Sequence, residues 1–124
     1  MEIKCKRYYR WKSDTVLQNK QCKTGDIYTH YQGMNASLTL FNREPITDWL
    51  LWTTLYDLRG NEIYEADRLL TNNRQEFVVK WHVDDNKRKA GWKMKCQKGL
   101  WHNINTNIVQ IVGNEDLEES YERD

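Results

Sequence analysis

The chain has 124 residues, which is the length of one domain and leaves room for a single hydrophobic core. Hydrophobic residues make up 39% and charged residues 30%, a composition too polar for a membrane protein and too varied for a low-complexity chain. The net charge of +1 hides two basic blocks, 1–23 and 80–98, and two acidic blocks, 44–67 and 115–124. Such blocks either recognise a partner or pair with one another when the chain folds.

The N-terminus alternates charged and apolar residues and lacks the apolar stretch of a secretory signal. The three cysteines, Cys5, Cys22 and Cys96, form no C-x-x-C pair, which argues against a disulfide framework and a zinc ribbon. We therefore expect reduced thiols and an intracellular protein.

The first half of the chain, 1–56, predicts several short strands. Side chains from Glu2 to Trp11 alternate in the manner of an edge strand. The polar stretch from Asp14 to Thr24 is typical of a loop or hairpin, and the β-branched and aromatic run from Asp26 to Tyr31 predicts a second strand. Ser37 to Phe41 also alternates, and Pro45 excludes a central ladder position nearby.

The apolar run Trp49 to Leu55 fits either a buried strand or a short helix, because periodicity does not separate the two over this length. The β-branched Thr53 and Thr54 favour the strand.

The second half predicts a hairpin and a final strand. Asp57 to Asn61 is a turn, and Glu76 to Val83 is followed by a turn at Asp84-Asp85-Asn86 and a returning strand from Lys89 to Cys96. The alternation of the returning strand places Ala90, Trp92, Met94 and Cys96 on one face and Lys89, Gly91, Lys93 and Lys95 on the other. A last strand is expected from Thr106 to Val112, and the acidic tail beyond Asn114 has too few apolar residues to pack firmly.

Three stretches of the second half resemble the YopX family of phage and prophage proteins. They are Leu58-Arg59-Gly60-Asn61-Glu62-Ile63-Tyr64-Glu65-Ala66-Asp67, Val78-Val79-Lys80-Trp81 and Val109-Gln110-Ile111-Val112-Gly113-Asn114. The resemblance covers 57–114 well and 1–11 loosely. Ala66 stands where the family has Gly, so a left-handed backbone there would be strained by the methyl group.

This resemblance implies a mainly β protein with a small SH3-like barrel in its second half. We expect one domain over 1–124, comprising an additional N-terminal β segment (1–56), the barrel half (57–114) and the acidic tail (115–124). The structural signature would consist of Gly60, Glu62, Ile63, Tyr64, Glu65, Asp67, Trp81, Gly113 and Asn114. The resemblance also implies a phage or prophage gene and hence the cytoplasm of a bacterial host cell, and it supplies no biochemical activity.

The residues do not assemble a recognisable catalytic or metal motif. Glu62, Glu65 and Asp67 are the densest carboxylate group, and we expect them to fix the turn by accepting backbone N–H bonds rather than to act as an acid/base pair. His30, His82 and His102 are far apart in sequence, and no nucleophile elbow or phosphate loop is present. We therefore predict no enzyme activity, no cofactor and no metal.

The second hairpin carries the only cluster of residues whose chemistry suggests a particular ligand. Its cations are Lys87, Arg88, Lys89, Lys93, Lys95 and Lys98, and Trp81, Trp92 and Trp101 lie among them. Cations interleaved with rings are what single-stranded nucleic acid requires, at about 1–3 kcal/mol for each stacked base. The alternation favours a solvated basic face instead, with Trp92 turned into the core.

The leading hypothesis is a phage or prophage accessory protein that binds a host or phage protein without catalysis. One version is a host-takeover or counter-defence factor whose acidic blocks imitate nucleic-acid charge. The alternative is a nucleic-acid-binding module that uses the basic hairpin 80–98. Self-association is also expected to be feasible, since small β domains have sheet edges to cover.

Overall fold

A computed structural model describes residues 4–12, 15–17, 20–22, 26–33, 42–86 and 89–122 of the chain. The chain is mainly β, and its curled antiparallel sheets form a half-barrel. The predicted strand at Ser37 to Phe41 lies outside the described residues, as do Lys87 and Arg88.

The first sheet is built around a strand that the sequence predicted to lie at an edge. This sheet contains β1 (Cys5–Trp11), β4 (Ile27–Tyr31), β5 (Arg43–Pro45), β6 (Leu50–Tyr56) and β7 (Glu62–Tyr64). The strand order is β4-β1-β6-β7, and β5 also pairs with β1. The edge assignment of β1 is therefore wrong, because alternation reports which face of a strand is buried and not how many neighbours the strand has.

Two other predictions for the first half are confirmed. Within Asp14 to Thr24, β2 (Thr15–Leu17) and β3 (Lys20–Cys22) form an antiparallel hairpin. The run from Trp49 to Leu55 is a strand, β6, and it pairs with both β1 and β7. Its register shifts between Trp52 and Tyr56, where Thr54 has a φ of 72°.

The hydroxyl of Thr53 stabilises this irregularity in β6. Thr53 is buried; its Oγ1 donates to the Ile63 carbonyl at 2.7 Å and accepts from the Leu55 N–H at 3.1 Å. One side chain thus replaces ladder hydrogen bonds that the shifted register removes.

The second sheet contains the predicted hairpin and contributes most of the main hydrophobic cluster, to which β7 of the first sheet adds Ile63. It is formed by β8 (Asp67–Thr71), β9 (Glu76–Val83), β10 (Ala90–Cys96), β11 (Trp101–His102) and β12 (Val109–Asn114) in the order β11-β10-β9-β8-β12. β9 and β10 pair from Ala90 opposite Val83 to Cys96 opposite Phe77, which confirms the hairpin. The buried core consists of Ile63, Leu69, Phe77, Val79, Met94 and Val109.

The end of the chain differs from the prediction in two ways. The final strand is displaced towards the C-terminus, to Val109–Asn114, because Thr106 to Ile108 form a turn. The acidic tail was expected not to pack, but it forms the helix α1 (Glu115–Glu122), whose Glu118 pairs with Arg68 at 2.8 Å. That expectation was wrong because it counted apolar residues, whereas α1 is held by ion pairs and by acids in its first turn. Among the described residues, no helix has the length and apolar character needed to cross a membrane.

Candidate partner-binding surfaces

The turn at Glu65–Ala66 between β7 and β8, which we call the signature turn, is held by backbone contacts from β9 and from the first residue of α1. Ala66 is buried and has a φ of 67°, the left-handed conformation that favours glycine. Its N–H donates to the Val79 carbonyl and its own carbonyl accepts from the Glu115 N–H, both at 2.8 Å. These two bonds hold a conformation that costs Ala about 1–2 kcal/mol.

Asp67 and Asn114 join this turn to the start of α1. The buried Asp67 carboxylate accepts from the Tyr64 N–H at 2.7 Å and from Asn114 Nδ2 at 2.9 Å. Asn114 also donates to the Glu65 carbonyl at 3.1 Å and accepts from the Leu117 N–H at 3.1 Å, which makes it the N-cap of α1. Burial raises the pKa of Asp67 although Asn114 opposes the shift.

The other two carboxylates of the signature have different partners. Glu62 forms an ion pair with Lys4 and accepts from the Tyr64 hydroxyl, whereas Glu65 Oε1 lies 3.5 Å from the Leu51 N–H. Glu62 and Asp67 both line an open cavity beside this turn and Glu65 does not, so the three acids do not meet at one point.

An open cavity of about 530 Å³ borders the signature turn, and Lys6, Tyr8, Tyr64 and Asp67 contribute to its wall. Lys6 Nζ lies 4.3 Å from the centroid of the Tyr64 ring and 5.0 Å from that of Tyr8. Burial raises the pKa of Tyr8 to about 12 and raises that of Tyr64 as well. Both phenols are thus protonated at neutral pH. Each carboxylate oxygen of Asp67 already accepts a hydrogen bond, one from the Tyr64 N–H and one from Asn114 Nδ2.

The three histidines occupy three separate places. His30 is buried beside Tyr9, whereas His82 stacks on Trp101 and His102 meets the edge of Phe77. In the described part of the chain, no group of three or more His, Cys, Asp or Glu side chains is arranged to hold a metal ion.

Asp57 is an anchor that the sequence analysis missed. Its Oδ1 accepts from the Arg59 and Asn61 N–H groups at 2.9 and 2.8 Å, and Oδ2 accepts from the Ile111 N–H at 3.0 Å. Burial opposes ionisation, but these backbone donors outweigh it and lower the pKa of Asp57. An Asp at the first position of a turn was the available signal, but nothing in the sequence indicated the bond to Ile111.

The β9–β10 hairpin carries cations on one face, and that face is shared by Trp101 of the neighbouring strand β11. Lys80 lies opposite Lys93, and Lys95 lies opposite both Val78 on β9 and Trp101 on β11. Trp101 stacks on His82 with a centroid separation of 4.2 Å, and Lys95 Nζ lies 5.2 Å from the Trp101 ring centroid. Lys89 and Lys98 are exposed in the flanking turns. Of the three tryptophans near these cations in sequence, only Trp101 shares their face, and Trp92 lies on the opposite face, as its alternation predicted.

The acidic blocks neutralise part of the basic blocks. Lys80 pairs with Glu115 at 2.9 Å, and Arg10 pairs with Glu44 at 2.8 Å. Lys93 donates to Asn103 instead. Neither Lys93 nor Lys95 has an acidic partner among the described residues. The charge blocks therefore close on each other in part and leave these two cations available.

The opposite face of the hairpin extends beyond the core. Phe77 and Val79 on this face are buried, but Trp81 is 54% exposed and Val83 is 46% exposed. The Trp81 ring meets Trp92 edge to face at 5.2 Å, and Trp92 also packs against the core, as the alternation predicted. The outer half of the hairpin thus presents an apolar face backed by a basic one.

Comparison of the chain with protein-family models and with curated protein sequences found no match to either.

Proposed function

We propose that this chain is a phage- or prophage-encoded accessory protein that binds a host or phage protein without catalysis. The proposal includes an SH3-like, YopX-like identity for the barrel half and a location in the bacterial cytoplasm. The resemblance over 57–114 supports the origin. The exposed apolar face formed by Trp81, Val83 and Trp92, which we call the hairpin tip, supports the binding role.

The hairpin tip has the chemistry of a protein-binding surface. Single exposed apolar side chains are common, but neighbouring ones that form a continuous patch often mark interaction sites. Tryptophan is enriched among the residues that dominate interface energies, where its truncation costs about 2 kcal/mol or more. Because Trp92 is anchored on the core, the Trp81 ring is held in place before a partner arrives, which lowers the entropy lost on binding.

Affinity capture with variants of the hairpin tip tests this proposal. Trp81→Ser should abolish a stoichiometric complex that the wild-type protein forms with a protein of the bacterial host or phage. Leu58→Ser is the matched control, because Leu58 is an apolar side chain, 57% exposed, in the turn after β6 and not in the hairpin. Recovery of nothing above background by the wild type would refute the proposal, and recovery of the same complex by Trp81→Ser would refute the hairpin tip as the binding surface.

The stacked pair of His82 and Trp101 beside Lys93 and Lys95 favours nucleic acid as a second candidate partner. Binding of this kind should weaken steeply as salt concentration rises, because phosphate contacts release counterions. Trp101→Ala and Lys95→Ala should each lower the affinity for a single-stranded oligonucleotide. Flat titrations of single- and double-stranded DNA and RNA at low salt would eliminate this candidate.

The nucleic-acid-mimic version of counter-defence receives less support. Glu44, Glu62, Glu115 and Glu118 all form ion pairs within the chain. A mimic needs acids that remain free to meet a cationic partner surface.

A further inference from the structure

One edge of β10 is only partly covered. β10 pairs with β9 along its whole length, from Ala90 to Cys96, whereas β11 pairs only with Met94 and Lys95. The Asp84 N–H donates to the Lys89 carbonyl at 3.0 Å, which places Lys89 in a hydrogen-bonded pair with β9. In an antiparallel strand, the backbone N–H and C=O groups of successive residues point alternately to the two neighbouring strands. The backbone groups of Ala90 and Trp92 are therefore directed away from β9. No described strand pairs with them on that side.

The two faces next to this open edge differ in chemistry. On one face lie Trp92 and the exposed Trp81. On the other lie Lys93 and Lys95, which contact Asn103 and the Trp101 ring and have no acidic partner among the described residues. A strand added here would place successive side chains alternately against the tryptophans and against the lysines.

We infer that the partner adds an extended segment with alternating apolar and acidic side chains to β10 at Ala90 to Lys93. This inference rests on the proposed protein-binding function and specifies the chemistry of the partner. In such strand addition, main-chain hydrogen bonds supply affinity and the alternating side chains supply specificity. Here the apolar side chains cover the hairpin tip and the acidic ones pair with Lys93 and Lys95.

Two alternatives fit this edge less well. A second copy that paired β10 with β10 in antiparallel fashion would bring the lysine faces of both copies together, and like charges on facing strands are destabilising. The outer edge of β9 at Trp81 and Val83 lies on the side of β8, near α1, where Glu115 already pairs with Lys80. An acidic strand would be repelled there.

Three synthetic peptides of equal length test the inference on the full chain. One alternates Glu and Val, one alternates Lys and Val, and one contains the same Glu and Val residues in two blocks. We expect the alternating Glu–Val peptide to bind roughly tenfold more tightly than the other two. The amide protons of Ala90 and Trp92 should become protected from hydrogen exchange when it binds.

Charge reversal provides the specificity control. The variant carrying Lys93→Glu and Lys95→Glu should prefer the Lys–Val peptide. A variant carrying Lys12→Glu and Arg74→Glu has the same change in net charge at exposed positions elsewhere and should keep the wild-type preference.

Several results would overturn strand addition. These are equal binding of the three peptides, absence of binding, protection away from β10, or competition by any polyanion, including a single-stranded oligonucleotide. If Trp81→Ser abolishes a partner complex while the Lys93 and Lys95 reversal leaves it intact, protein binding stands and strand addition falls. If Trp81→Ser leaves that complex intact, the hairpin tip falls as the binding surface, and if the wild-type chain captures no partner, the proposed function itself falls.

Discussion

Replacement of Asn114 by alanine tests the link between the signature turn and α1. The change removes the hydrogen bond to the Asp67 carboxylate, the bond to the Glu65 carbonyl and the cap on the Leu117 N–H. A bond to a charged group contributes about 1.5–3 kcal/mol and an N-cap about 1 kcal/mol. We therefore expect a loss of about 3 kcal/mol, or a fall in Tm of about 12 °C for a domain of this size.

The loss should also depend on pH through Asp67. Its pKa is already raised by burial, so the folded state favours the protonated carboxyl, and ionisation destabilises the fold as pH rises through the folded pKa. Removal of the Asn114 donor raises that pKa further and enlarges the penalty. The destabilisation by Asn114→Ala should thus be largest at about pH 7 and smaller at about pH 4.

Urea denaturation followed by the fluorescence of the six tryptophans would measure both effects. Asn107→Ala is the control, because Asn107 lies in an exposed turn before β12. The reasoning is refuted if Asn114→Ala loses less than about 1 kcal/mol. It is also refuted if the loss is the same at both pH values.

Three further predictions concern the same framework. Asp57→Ala should cost about 2–3 kcal/mol near neutral pH, because three backbone N–H groups lose a charged acceptor. Since the pKa of Asp57 is lowered in the folded state, this loss of stability should shrink as pH falls through the folded pKa. Urea titrations at an acidic and a neutral pH measure the loss, and an equal loss at both would contradict the assignment. Gly113→Ala places its methyl group against the Glu118 carboxylate and should lower Tm. In a Glu118→Ala background the same change should have little effect on Tm. If the Tm losses of the two single variants add in the double variant, this contact is contradicted. Thr53→Val should lose about 2 kcal/mol by leaving the Ile63 carbonyl and the Leu55 N–H unpaired, and an unchanged midpoint of unfolding would show that water replaces the hydroxyl.

The local sequence pattern was sufficient to predict an element whose hydrogen-bonding partner is close to it in the sequence. The β9–β10 hairpin is one example, because few residues separate its strands in sequence and their side chains alternate cleanly. The positive φ of Ala66 was an expectation of a different kind, because it came from the resemblance to a family that has Gly at this position and not from local pattern.

Pattern was insufficient where the outcome depended on distant partners. β1 is interior because β4, β5 and β6 return to both of its sides, and no local feature of Cys5 to Trp11 encodes their arrival. The acidic tail forms α1 through local signals, the Asn114 N-cap and the acids of the first turn, and it is fixed to the sheet by ion pairs with Arg68 and Lys80, 35 or more residues earlier.

The sequence by itself determined the β character, the hairpin and the separation of Lys93 and Lys95 from Trp92, since the period of a strand fixes these. Only the tertiary structure decided that Trp81 emerges beyond the core, that Trp101 joins the lysines and that β11 stops short of Ala90 and Trp92. These features depend on where each strand ends relative to its neighbours. That is a property of the assembled sheet, and it decides which side chains and backbone groups remain available to a partner.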